Sequence, residues 1–332
     1  MKAIFYSNTP ENITNAYGKD AIALIKKYYD IEPCVICRAN ISKHFETAER
    51  TEAIFSTWGM ERFREEEIKQ YFPNLKYIFY AAGSVQQFAK EFFNCSVRVF
   101  SANEANAIPV AEYAFSQIVL ANKGMFPSMR DFKKSRQVSF KAASVAPGNY
   151  GACVGLIGIG QIGKRVAALL KNLDCTVLYY DPFLPKEDAE KLGITEASLE
   201  AIFEKCDCIS NHLADKDELA GILNYSLFSR MKPRATFINT ARGRQVDEDG
   251  LVKALKECKT RTAILDVTYP EPPKHNSPLL KTDNIFLTPH IAGSLSAEIF
   301  RMGDYMAREA HRIASGEQPL FEVTAQMLKT MA

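Results

Sequence analysis

The sequence predicts an α/β protein of two doubly wound parallel-sheet domains. Three observations carry that expectation. At 332 residues the chain is too long for one ordinary core and suits two. Short apolar runs alternate with amphipathic stretches twice, once over residues 2–100 and again from Cys153 onward. A glycine-rich turn joins the first strand of the second series to the helix that follows it.

In the first series, strands are expected at Lys2–Tyr6, Pro33–Cys37, Glu52–Ser56, Lys76–Tyr80 and Val97–Phe100. Helices are expected between them at Lys19–Tyr29, Glu61–Tyr71 and Val85–Phe93. Strands separated by helices imply parallel pairing with crossovers. A longer helix, Pro109–Asn122, follows, with Ala111, Ala114, Phe115, Ile118 and Val119 on one face and Pro109 in its first turn. Residues Gly124–Tyr150 contain Pro127, Pro147 and Gly148 and read as an irregular exposed arm.

The second series places strands at Cys153–Ile157, Thr176–Tyr180, Cys208–Ser210, Ala235–Asn239, Ala263–Val267 and Ile285–Leu287. Its clearest helix is Gln161–Lys171, with Ile162, Val166, Leu169 and Leu170 on one face. Six strands with crossovers make a complete dinucleotide-binding domain. The last helix, Ala297–Ala314, carries Ile299, Met302, Met306, Ala310 and Ile313 along one stripe, read as core, with Gly316 as its stop.

Composition narrows the function classes. Hydrophobic residues at 47% and charged residues at 24% describe an ordinary globular chain. The net charge of +2 comes from intermixed signs, so neither a nucleic-acid nor a membrane face is expected. The basic cluster Arg130, Lys133, Lys134 and Arg136 reads as solvated surface. No apolar run approaches a membrane span or a secretory signal core. Cys153, Cys175, Cys206 and Cys208 sit in or beside strand-like runs, where thiols behave as small core residues. Cys34 and Cys37 have redox-motif spacing but no second pair, so no metal is expected. A reduced, cytoplasmic protein is the expectation.

Val154–Ile157 runs directly into Gly158-Ile159-Gly160-Gln161-Ile162-Gly163. Gly158 suits the tight turn, Gly160 a close approach of backbone to a pyrophosphate, and Gly163 close helix–strand packing. The helix start offers unpaired N–H groups to phosphates. Asp181 ends the next strand, 18 residues beyond Gly163, where a carboxylate accepts hydrogen bonds from ribose hydroxyls and repels a 2′-phosphate. NAD is therefore the expected cofactor.

Three loops follow later strands. Asn239-Thr240-Ala241-Arg242-Gly243 follows one, Leu265-Asp266-Val267 ends the next with Glu271 shortly after, and Thr288-Pro289-His290-Ile291-Ala292-Gly293 follows the last. Reducing a ketone by hydride needs a proton donor, which histidine suits, and a carboxylate on its far nitrogen to fix the tautomer. It also needs a cation to grip the substrate, and the arginine fork matches a carboxylate beside a carbonyl.

In these motifs the chain resembles the D-isomer-specific 2-hydroxyacid dehydrogenase family, most specifically from Gly155 to Gly293. The resemblance implies Arg242 as the substrate-binding residue, Glu271 as partner of the histidine, and His290 as acid/base. It implies cofactor contacts from Asp266, on the nicotinamide carboxamide, and from Gln161, Ile162, His212, Thr240, Ala241 and Gly293. It implies a Rossmann NAD domain, residues 102–295, inserted into a flavodoxin-like substrate-binding lid of residues 1–101 and 296–332. A homodimer through the long helix and the arm is also implied, with a small carboxylate as substrate.

The family's substrate loop reads Gly-x-Gly with an acid behind it, whereas this chain has Gly83-Ser84-Val85-Gln86-Gln87. Backbone N–H groups at Ser84 and Val85 still suit a carboxylate. His212 stands in Asn211-His212-Leu213-Ala214-Asp215, where many members have Pro-Leu-Thr after the histidine, and reads as a structural residue lining the cofactor cleft. Trp58, the single tryptophan, reads either as buried packing or as a wall of the substrate pocket. A formate dehydrogenase is disfavoured because that branch has Gln where Glu271 stands. No sensing module is expected after Ala332. The competing class is an NAD-sensing binding or co-repressor-like protein on the same fold.

Overall fold

The computed structural model describes residues 1–329, so the last three residues of the expected lid range, Ala332 among them, lie outside it. The chain divides into two compact units. One is Met1–Ala107 together with the residues from Ser294 onward, and the other is Ile108–Gly293.

The first unit is built on parallel strands β1 (Lys2–Tyr6), β2 (Asp30–Ile36), β3 (Ala53–Ser56), β4 (Tyr77–Tyr80) and β5 (Arg98–Ser101), ordered β5-β4-β3-β1-β2. A short strand, Glu322–Val323, pairs antiparallel with β5. Alternate residues feed two cores: Ile4 and Tyr6 of β1 enter one, and Ala3 and Phe5 enter the other. A parallel sheet covered on both faces requires such two-sided burial. The final helix, Ala297–Ala314, buries Met302, Met306 and Ala310 completely in the second of these cores, as its stripe predicts.

The second unit contains β6 (Cys153–Ile157), β7 (Thr176–Tyr180), β8 (Thr195–Glu196), β9 (Cys208–Asn211), β10 (Thr236–Asn239), β11 (Thr262–Leu265) and β12 (Ile285–Leu287). Their order is β12-β11-β10-β9-β6-β7-β8, and every pair is parallel. The expected six strands become seven, because the two-residue β8 extends the edge beyond β7, too short for periodicity to register.

Other expectations are corrected in detail. The arm is helical, with helices Met125–Phe132 and Arg136–Ser144. Pro127 lies in the first turn of its helix, where no N–H is required, and Ser135 caps the second by accepting from Val138 N at 3.1 Å. The long helix starts at Asn103, so Pro109 lies inside it and not at its start. Strand β2 begins at Asp30 and tolerates Pro33 because it is an edge strand. In the basic cluster, Arg130 and Lys134 are both paired to Asp131, which they hold down at a pKa of about 2. Among the described residues all eight cysteines are free, and no helix is long and apolar enough to cross a membrane.

Candidate active site

The loops that follow β6, β7, β9, β10, β11 and β12 leave the same edge of one parallel sheet, the edge at which such sheets bind ligands. At the end of β6, Gly158 adopts φ +87°, and a Cβ there would sit 2.7 Å from the His212 carbonyl oxygen. A Cβ on Gly163 would lie 2.2 Å from the Gly158 carbonyl oxygen, so helix and strand meet only through glycine. Gly160 is the N-cap of helix Gln161–Leu170, and open space surrounds its Cβ position. Gln161 at that helix start is exposed and Ile162 is partly buried. Asp181 accepts hydrogen bonds from Ile159 N at 2.7 Å and Phe183 N at 2.9 Å, so it also fixes the glycine turn.

His212 and Thr240 follow the paired residues Asn211 and Asn239 on neighbouring strands. Both are buried, and among the described residues neither His212 ring nitrogen nor Thr240 Oγ1 has a hydrogen-bond partner. Burial pushes the His212 pKa down to about 4, leaving the ring neutral at neutral pH. Unpartnered polar atoms beside an open, glycine-lined helix start fit a bound dinucleotide with polar groups of its own.

Arg242 is displayed by a locked turn. Asn211 Nδ2 donates to Asn239 Oδ1 at 3.0 Å and to Gln245 Oε1 at 2.8 Å, and all three side chains are fully buried. Asn239 in turn accepts from Ala241 N and donates to the Arg242 carbonyl, each at 3.1 Å. The half-exposed Arg242 guanidinium donates through Nε to Asp215 at 3.1 Å and through Nη1 to the Ala241 carbonyl at 2.8 Å. Arg244 shares Asp215 at 2.7 Å.

His290 sits in a cage built by Asp266. The buried Asp266 carboxylate accepts from Thr288 Oγ1 at 2.6 Å and from Ile291 N and Ala292 N at 2.9 Å. Tyr113 braces Thr288 at 2.9 Å. His290 itself adopts φ +56°, unusual for a non-glycine residue, and its N–H donates to the Asp266 carbonyl at 2.9 Å. Its side chain is exposed, and Nδ1 lies 2.6 Å from Glu271 Oε1. With Glu271 ionised, Nδ1 carries the proton and Nε2 is the nitrogen left for chemistry.

Arg242, the Glu271–His290 pair and the glycine turn thus all leave one edge of the same sheet. The family model for the D-isomer specific 2-hydroxyacid dehydrogenase NAD binding domain matches residues 115–292, more than half of the chain. The chain belongs to this family. It is 34% identical over 218 residues to a D-3-phosphoglycerate dehydrogenase of Archaeoglobus fulgidus, a stretch covering 66% of this chain and 41% of that relative. The chain therefore spans well under half the length of that relative. A glyoxylate reductase of Thermofilum pendens is 38% identical over 181 residues, 54% of this chain and 53% of that one. In fold, the chain is similar to a phosphoglycerate oxidoreductase of Rhizobium etli, with TM-score 0.81, 22% identity, and coverage of 98% and 99%.

As an NAD-binding family member, the chain carries supports that sequence reasoning missed. Asn211, Gln245 and Asp215 show no pattern of their own, since each acts only through strands that pair in the fold. The Asp215 contact marks a departure already visible in the Leu213-Ala214-Asp215 stretch. In the other unit, the Ser101 hydroxyl donates to the Gly83 carbonyl at 2.5 Å, and the Ser84 side chain is partly exposed while Val85 is buried. Trp58 is 40% exposed, which removes the buried-packing reading. Gly293 closes the second unit directly after the His290 loop.

Proposed function

We propose that this protein is an NAD-dependent D-2-hydroxyacid dehydrogenase, interconverting a 2-oxo acid and its D-2-hydroxy acid. The observation that carries this reading is the 2.6 Å His290–Glu271 pair on the sheet edge that also presents Arg242. NAD, when bound, supplies or accepts the hydride. His290 Nε2 delivers a proton to the substrate oxygen in reduction and removes it in oxidation, while Glu271 fixes the tautomer and ring orientation. Arg242 grips the carboxylate and the adjacent oxygen with its fork, and Asp215 orients that fork through Nε.

Gly158, Gly160 and Gly163, with Gln161 and Ile162, hold the pyrophosphate, and the free acceptor positions of Asp181 take the ribose hydroxyls. His212, Thr240, Ala241, Asp266 and Gly293 line the nicotinamide side. Gly83, Ser84 and Val85 offer backbone to the substrate carboxylate, with Trp58 as an exposed wall. The unit bearing them, residues 1–101 and 296–332 in the reading from sequence, is the substrate-binding domain, and residues 102–295 are the NAD domain. The molecule is a cytoplasmic homodimer, a reading supported by eight free cysteines and by the exposed apolar arm.

The test is a panel of 2-oxo acids with NADH, following NADH loss. At least one acid is expected to turn over, and His290→Ala is expected to lower that turnover about 10²–10⁴-fold. A protein that binds NADH but reduces no member of the panel, or a near-native His290→Ala variant, defeats the proposal.

A further inference from the structure

In the first unit, Glu32, Cys34 and His44 converge. One carboxylate oxygen, the thiol sulfur and a ring nitrogen all lie within 4.8 Å of one another. We propose that these three side chains form a site for a divalent cation of the zinc class, with a fourth position left to water.

The backbone builds the site. Along the edge strand β2 the pairing jumps from Ala3↔Ile31 to Phe5↔Val35, so residues 32–34 bulge out of register. Bulges re-aim side chains, and Pro33 at the centre of this one has no N–H to lose from the ladder. Glu32 and Cys34 flank it, with Sγ 3.9 Å from Glu32 Oε1. The chain then returns through a turn clamped by Asn40, which donates to the Val35 carbonyl at 3.0 Å and accepts from Cys37 N at 2.8 Å. That clamp starts the 3₁₀ helix Ile41–His44 and brings His44 back to the strand.

The separations are longer than those of strong hydrogen bonds. Cys34 Sγ lies 3.7 Å from both His44 Nδ1 and Nε2, along neither lone pair, and a turn of the His44 ring brings one nitrogen to bear on an ion shared with the sulfur. Around a tetrahedral zinc, with bonds of about 2.3 Å to sulfur and about 2.0–2.1 Å to nitrogen or oxygen, such donors stand roughly 3.5 Å apart. The sulfur-to-oxygen and sulfur-to-nitrogen separations, 3.9 and 3.7 Å, are within a few tenths of an ångström of that. A thiolate, an imidazole and a carboxylate together are borderline-soft, which selects zinc over calcium or magnesium. All three side chains are half-buried, so the group is shielded yet open to an entering ion.

The test uses the full chain after chelator treatment, titrated with cobalt(II) as a spectroscopic probe and then with zinc. One equivalent of cobalt should bind with a thiolate-to-cobalt charge-transfer band and be displaced by zinc. Cys34→Ser should abolish that band, His44→Ala should weaken binding more than about tenfold, and Cys37→Ser should leave both unchanged. Absence of stoichiometric binding in the unmodified protein overturns the proposal, as does an unchanged band in Cys34→Ser. If the variants misfold, zinc X-ray absorption on the unmodified protein decides. One sulfur at about 2.3 Å among nitrogen and oxygen neighbours supports the site, and any other sulfur count overturns it. None of these readouts depends on turnover.

Discussion

His212 holds a neutral imidazole in a buried position where no other described residue satisfies it. Its folded pKa of about 4 lies below the ordinary unfolded value of about 6.5. Between those values the unfolded chain binds a proton that the folded one excludes, so stability falls as pH drops through that window and is unaffected above it. At about pH 5 the loss amounts to roughly 2 kcal/mol, approaching about 3 kcal/mol in stronger acid. Urea unfolding of the ligand-free protein at about pH 7 and about pH 5 reads this directly. His212→Gln, which does not titrate, is expected to lose less stability between the two than the unmodified chain does. Equal losses in the two proteins would show that the acid sensitivity lies elsewhere.

At the scale of elements, the loops after β10 and β11 interlock. A Cβ on Gly243 would stand 2.0 Å from the Thr268 carbonyl carbon and 2.2 Å from its oxygen. That neighbour is backbone and cannot swing aside. Gly243→Ala is expected to destabilise the protein by about 1–3 kcal/mol, the usual cost of overpacking. Because Arg242 is the preceding residue, the same shift should lower turnover by about 10²-fold, the cost of a small misplacement of a positioning group. Denaturant unfolding and steady-state rates on one preparation measure both. A variant native in both would mean that the two loops do not constrain each other. The arm shows the opposite relation, since its prolines and glycines suggested irregular chain while Ser135 and the first-turn Pro127 permit two helices.

At the scale of the molecule, the arm leaves Met129, Phe132, Phe140 and Tyr150 from 57% to 85% exposed. Apolar surface gathered in one segment marks an association surface on a folded protein. If it closes a homodimer, sedimentation of the unmodified protein gives twice the 37.2 kDa chain mass. The double variant Phe132→Asp, Phe140→Asp should shift it toward monomer, because carboxylates on both sides of an isologous contact face loss of hydration. A protein that sediments as a monomer at micromolar concentration before any substitution removes the dimer from the proposed function.

Residues alone determined what depends on local rules. The strand–glycine turn–helix at β6, Asp181 at the end of β7, and the stripe of Ala297–Ala314 were legible because backbone freedom and side-chain period act within a few residues. The order Arg242, Glu271, His290 was legible through its motifs, as was the alternation of strands and helices. Tertiary structure decided what depends on which distant segments meet. Parallel pairing of β9 with β10 brings Asn211 to Asn239, and only then does Gln245 complete the lock behind Arg242. The same closure places Asp215 between Arg242 and Arg244 and strands the His212 ring without a partner among the described residues. The bulge that gathers Glu32, Cys34 and His44 arises from a two-residue slip against β1, which the spacing of Cys34 and Cys37 does not encode. Hydrogen-bond partners across strands are chosen by register, and register is set by the packing of whole sheet faces.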